Sequence, residues 1–205
     1  MFLRLAGLML ALLLAACAAQ DVKFDPPERA AAARYVHPGP PSITLFTVVS
    51  TRSGAGAHSG LLINGSERVM FDPAGTWYHP NLPEQHDVHY GMTPRMVSFY
   101  IDYHARETYD VIEQTVVVTP EQAAIAIARA RAYGAVPKAQ CARSVSAILR
   151  GVPGFEGLSS TWYPKKLSKE FGALPGATIR SFSDDDTDDN HGVLLVQAQA
   201  DPAAE

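Results

Sequence analysis

The sequence predicts an α+β domain in which an antiparallel sheet packs against helices. Three observations predict it. Short runs dense in β-branched and apolar residues recur at 42–50, 58–63, 67–72 and 111–118, the composition of strands. Two of those runs flank Asn64-Gly65, a strong short-range hairpin signal. Later in the chain, Thr119-Pro120-Glu121-Gln122 forms a capping box with proline at the first helical position, so helices join the strands.

Taken in order, 42–50 is the first strand, carried by Ile43, Leu45, Phe46, Val48 and Val49. Residues 58–63 and 67–72 form the hairpin, ended by Asp72-Pro73-Ala74-Gly75, and a loop rich in Pro and His runs to about Thr93. Thr93-Pro94 can cap a helix to about His104, although the alternation of Val97, Phe99, Ile101 and Tyr103 equally suits a strand. A strand at 111–118 precedes a helix at 120–133 that stops at Gly134. A second helix at about 139–150 puts Cys141, Val145, Ile148 and Leu149 on one face and stops at Gly151. A short helix at 164–171 and strands at 178–183 and 192–197 complete the domain, which spans 42–198 and leaves a frayed tail at 199–205. Between the last strands, Asp184 to Asp189 reads as a solvated acidic loop, because a calcium loop of the EF-hand type needs a central Gly and a distal Glu that are absent.

The 205 residues are 47% hydrophobic and 19% charged, which suits one ordinary core and excludes collagen-like or low-complexity chains. With 17 Lys+Arg against 21 Asp+Glu and no basic run, the chain lacks the phosphate-neutralising surface of a nucleic-acid binder. Residues 1–16 carry Arg4, an apolar stretch at 5–14 and then Ala15-Ala16, the layout of a secretory signal. Leu14-Ala15-Ala16-Cys17 resembles the lipobox of bacterial lipoproteins, which implies cleavage before Cys17 and lipidation of its sulfur. Ala18 resembles the outer-membrane sorting class, so the expected location is the periplasmic face of the outer membrane, with 17–41 as lipidated cysteine and proline-rich tether that holds one helical turn or two around Glu28 to Arg34.

Lipidation of Cys17 would leave Cys141 as a solitary thiol in an oxidising compartment, either a buried small hydrophobe or a reactive group. Near a helix N-terminus, unpaired N–H groups and the helix dipole favour a thiolate and can hold an oxyanion. With Val145 and Ile148 on its face, the sulfur points at the sheet, so a base must come from a strand. The candidate is His58, directly after Gly54-Ala55-Gly56-Ala57. A three-residue turn at Asn64 to Ser66 would set His58 opposite Asp72, able to orient the imidazole; a two-residue turn would put Asp72 on the other face, and both registers stay open. Ser59 is one place late for a Gly-x-Ser-x-Gly elbow. His79, His86 and His89 lack defined metal-site spacing and read as solvated loop histidines; no metal and no cofactor are expected. Trp77, Tyr78, Trp162 and Tyr163 suit either a cleft lining or core anchors.

The order His58-Ser59-Gly60-Leu61-Leu62-Ile63, then Phe71-Asp72-Pro73-Ala74-Gly75, then Cys141 heading a helix, resembles the circularly permuted NlpC-type papain-like superfamily, which includes lecithin retinol acyltransferase. Many members carry Asn before the nucleophile, where this chain has Gln140. The resemblance implies a permuted papain-like fold and a cysteine-dependent amidase or peptidase working through a thioester, with peptidoglycan peptides as first substrate class. Alternatives are a lipid or lipoprotein acyltransferase or esterase, and a non-catalytic envelope lipoprotein with Cys141 buried.

Overall fold

The computed structural model describes residues 23–200, so the signal at 1–16, Cys17 and most of the 199–205 tail lie outside the described residues. The described residues form an α+β domain of six helices and seven strands: α1 (Pro27–Ala32), β1 (Ser42–Ser50), β2 (Gly56–Asn64), β3 (Arg68–Phe71), β4 (Glu84–Gln85), β5 (Val88–Tyr90), α2 (Pro94–His104), β6 (Tyr109–Val117), α3 (Pro120–Tyr133), α4 (Cys141–Leu149), α5 (Pro164–Gly172), β7 (Thr178–Phe182) and α6 (Asn190–Gln197). The sheet runs β4-β5-β3-β2-β1-β6-β7, and every neighbouring pair is antiparallel.

Strand alternation sorts the side chains into two cores. Ile43, Leu45, Leu61, Ile63, Val69 and Phe71 bury one face of the sheet beneath α3, α4 and α5, against Ala126, Val145, Leu149, Leu167 and Phe171. Their even-numbered neighbours Phe46, Leu62 and Met70 bury the other face against Trp77, α2 and α6. Each fully buried Leu, Ile or Phe contributes about 1.5–3 kcal/mol. Capping agrees with the sequence: the Thr119 hydroxyl accepts from Gln122 N while the Gln122 side chain accepts from Thr119 N, a complete capping box.

The open choice at 93–104 resolves to a helix. Thr93 caps it by accepting from Met96 N, and the fully buried positions Met96, Tyr100 and Tyr103 follow helical spacing, while Val97, Phe99 and Ile101 are only partly covered. The helix at 139–150 starts two residues late, because Ala139 sits at φ 65, in the left-handed region that a helix cannot include.

Four further expectations need correction. Residues 192–197 are the core of α6 rather than a strand: Asp189 caps the helix by accepting from Gly192 N, and Leu194 and Gln197, one turn apart, are its buried positions. Gln197 fastens it to α2 through the Phe99 carbonyl and Asp102. The apolar run Val193 to Val196 mimics a strand, and only tertiary packing on α2 decides against it. Residues 23–41 are no free tether, since Phe24 bridges to Gln85, Ala30 is buried in the core and Asn64 binds the carbonyls of Gly39 and Pro40. The loop after Gly75 carries β4 and β5. Finally, two of its histidines are buried rather than solvated: His79 donates from Nε2 to the Gln197 carbonyl oxygen at 3.0 Å and His89 lies edge-on against Trp77.

Candidate active site

The hairpin turn has three residues, Gly65 to Glu67, one position later than the three-residue register considered from sequence: Asn64 pairs with Arg68 and Leu61 with Phe71. His58 and Asp72 therefore share a face of the sheet but sit diagonally rather than directly opposite. The His58 imidazole spans that diagonal, with its Nε2 2.6 Å from Asp72 Oδ1. Asp72 is 2% exposed, and the Tyr100 hydroxyl of α2 donates to the same Oδ1 at 2.9 Å. Two glycines make room for this arrangement. A Cβ on Gly60 would collide with the Tyr100 hydroxyl, and one on Gly75 would collide with Asp72 Oδ2.

Cys141 arrives from the opposite layer. β3 stops at Phe71, opposite Leu61, whereas β2 extends back to Gly56, so residues 56–60 continue beyond the end of their neighbour. The first turn of α4 comes against that stretch and sets Cys141 beside the His58 ring and the backbone N–H groups of Ser59 and Ala142, each of which favours its thiolate. With Nε2 committed to Asp72, Nδ1 is the nitrogen left for sulfur. Gln140 precedes the helix without a side-chain cap, so the first-turn N–H groups stay available. The three sequence candidates Cys141, His58 and Asp72 thus form one chain of contacts, sulfur to imidazole to carboxylate.

The electrostatics follow from that chain. Burial alone would push His58 down, but the charge and hydrogen bond of Asp72, with help from Cys141, hold it up at about 10. Burial would raise Asp72, and the charge and hydrogen bond of His58 overcome it and hold the carboxyl well below its ordinary range. Burial likewise opposes the Cys141 thiolate, and the His58 hydrogen bond and charge and the two backbone N–H groups outweigh it, lowering the thiol. The arrangement favours a thiolate beside an imidazolium.

Sequence reasoning missed His104, at the end of α2. Its ring lies parallel to His58, 3° apart with centroids 5.5 Å apart, and its Nδ1 donates to the Tyr100 carbonyl at 2.8 Å. Burial, the first cause, pushes it down to about 4, so His104 stays neutral beside a charged His58. Also missed was Asp87, at φ 66 in the β4–β5 turn. Its carboxylate accepts from Ala74 N and Val136 N, tying the turn after Asp72 to the segment that leads to Cys141. An aspartate in a short turn between Pro- and His-rich segments offers no sequence signal for that role, but Tyr100 and His104 at i and i+4 on one helix could have been found together. A cleft of about 220 Å³ opens beside the pair, lined by His58, Gly75, Thr76, Tyr103, His104 and Asn190 among others.

Of the aromatic candidates, Trp77 is a core residue whose indole N–H donates to Gln197, whereas Tyr78, Trp162 and Tyr163 are exposed, with the Arg143 guanidinium 4.8 Å from the centre of the Trp162 ring. Ser59 is fully buried. In the acidic loop, Asp186 pairs with Arg106 and Asp188 accepts from Thr108, so part of it is bound to the domain. No helix among the described residues is long and apolar enough to cross a membrane. Comparison of the chain with family models, with curated proteins and with solved structures gives no match.

Proposed function

We propose that the chain is a cysteine-dependent amidase or peptidase of the cell envelope, held to the outer membrane by a lipid on Cys17, with a permuted papain-like arrangement of its catalytic groups. One observation carries the chemistry: Cys141 at a helix N-terminus, His58 and Asp72 form a continuous chain in which the outer carboxylate is buried and fixed by Tyr100. A cysteine that served only as a small hydrophobe would need no imidazole, and the imidazole would need no buried carboxylate.

In this reading the Cys141 thiolate attacks the carbonyl carbon of an amide, and the first-turn N–H groups of α4 stabilise the oxyanion. The His58 imidazolium gives its proton to the amide nitrogen, the C–N bond breaks, and the amine leaves a thioester on sulfur. Neutral His58 then takes a proton from water as the oxygen attacks the thioester carbon, the C–S bond breaks, and the acid leaves the Cys141 thiolate and the His58 imidazolium restored. Asp72 keeps the imidazole oriented and stabilises its charge throughout. Peptidoglycan peptides are the substrate class that the proposed compartment presents.

The test is incubation of the purified chain with peptidoglycan fragments and, separately, with phospholipid vesicles, followed by mass spectrometry. Released peptide or amine that disappears with Cys141→Ser supports the amidase. Released or transferred acyl chains would replace it with a lipid acyltransferase or esterase, and no product from either would remove the catalytic reading. Membrane fractionation of Cys17→Ser tests the anchor: the variant should leave the membrane pellet, and retention there would overturn lipidation as the attachment.

A further inference from the structure

His58, Asp72 and His104 each place one donor atom within 4.8 Å of the donor atoms of the other two. Two imidazole nitrogens and a carboxylate oxygen are the donor set of zinc and its first-row neighbours, whereas calcium and magnesium prefer oxygen alone. Three further observations fit a cation there. Asp72 Oδ2 is buried and has no hydrogen-bond partner, although its carboxylate is fully enclosed. His104 gives its Nδ1 proton to the Tyr100 carbonyl, which leaves the other ring nitrogen with a lone pair, the second-shell pattern of a metal-binding histidine. The Tyr100 hydroxyl steadies the carboxylate in the same manner. The cleft beside both histidines provides entry and room for a fourth ligand from water.

We infer that this cluster binds a zinc-class divalent cation, in competition with the proton that His58 Nε2 shares with Asp72. Binding forms bonds from the cation to His58 Nε2, to His104 and to Asp72, and it releases the Nε2 proton to solvent. A tetrahedral site with bonds of about 2.1 Å has edges of about 3.4 Å, so the widest donor pair closes by no more than about 1.4 Å while His58 Nε2 and Asp72 Oδ1, now 2.6 Å apart, open to admit the ion. The consequence rests on the thiol reading above. An imidazole carrying a metal on Nε2 keeps its Nδ1 proton and no longer cycles between imidazolium and neutral ring, so it can neither give a proton to the leaving amine nor take one from water, and the cation and the acid–base role exclude one another. The site would then have two states: a proton-loaded, active one and a zinc-loaded, silent one.

The experiment is calorimetric titration of Zn²⁺ alone into the full chain after removal of metal with a chelator. One ion per chain is expected, with affinity reduced more than about tenfold in His104→Ala and in His104→Gln and retained in Cys141→Ser, since sulfur is not among the three donors. Substituting Co²⁺ in the wild-type chain should give a tetrahedral absorption spectrum without a sulfur-to-cobalt charge-transfer band, a readout that does not depend on any variant folding. No binding, unchanged affinity in both His104 variants, or a thiolate band would each overturn the site. In the amidase assay, Zn²⁺ should suppress turnover and chelator should restore it. If the chain binds one Zn²⁺ as described but has no thiol-dependent activity, the metal site stands and the thiol reading fails; if it is active and Zn²⁺ does not bind, the reverse holds.

Discussion

Beneath α3, α4 and α5 the sheet is covered by aliphatic side chains such as Leu45, Ile63, Val145 and Leu149. Its opposite face, beneath α2 and α6, mixes Phe46, Leu62 and Met70 with Asp72, Tyr100, His104 and Arg106, all but His104 among the buried residues. The first face holds by burial, which tolerates modest change in shape; the second holds by paired charges and hydrogen bonds, which tolerate none of their partners being removed. Cys141 belongs to the first by its helix and to the second by its contacts, so the reactive group is mounted on the sturdier layer and tuned by the more polar one.

The largest expected effect is on the polar face. Asp72→Asn keeps the shape of the side chain but removes the charge that holds His58 protonated, so amide turnover should fall by about a hundredfold or more in steady-state assays. Breaking this buried pair should also lower stability by about 3–5 kcal/mol in urea titration. On the aliphatic face, Leu149→Ala should lower stability by a similar amount, about 2–5 kcal/mol, through the cavity it leaves. Yet it should leave the alkylation rate of Cys141 in the folded fraction unchanged. If Leu149→Ala slows alkylation as much as Asp72→Asn does, the two faces do not act separately.

Stability against pH sharpens the same contrast. In chelator-treated protein, His58 is raised to about 10, above its ordinary value, so its contribution is full below about pH 6.5 and is lost as pH rises through about 10. His104 is lowered to about 4, so its folded form resists protonation and stability is lost as pH falls from about 6.5 toward 4. Asp72 adds stability above about pH 3.9 that is lost as pH falls further. Urea midpoints should therefore decline on both sides of neutrality, and Asp72→Asn should flatten the alkaline side. The smallest effect belongs to Thr119→Ala, which removes the capping box of α3 and should cost about 1 kcal/mol with no change at the site.

The aliphatic face was the legible one. Its strands, the capping box and the face of α4 that carries Cys141, Val145, Ile148 and Leu149 are local patterns, and the structure realises them. His58 and Asp72 were legible as a pair because strand parity is local once the turn length is known, although the turn itself lies one residue later than considered. Asp87 was not, since it acts across gaps of more than a dozen residues that no periodicity reports, and Tyr100 and His104, although one turn apart on α2, meet Asp72 and His58 only through the tertiary fold. The run at 193–196 shows the limit most plainly: its β-branched and apolar residues look alike in a strand or a helix, and the contacts of Gln197 with Phe99 and Asp102 decide.

The central claim is that His58 and the first turn of α4 hold Cys141 as a thiolate in the folded chain, and iodoacetamide labelling of the native protein tests it most directly. At neutral pH Cys141 should react faster than a free thiol with a pKa of about 8.5, and His58→Ala should slow that reaction while circular dichroism shows the fold retained. A Cys141 that reacts only after denaturation, or at the same rate with and without His58, would contradict the account and leave the thiol as part of the core.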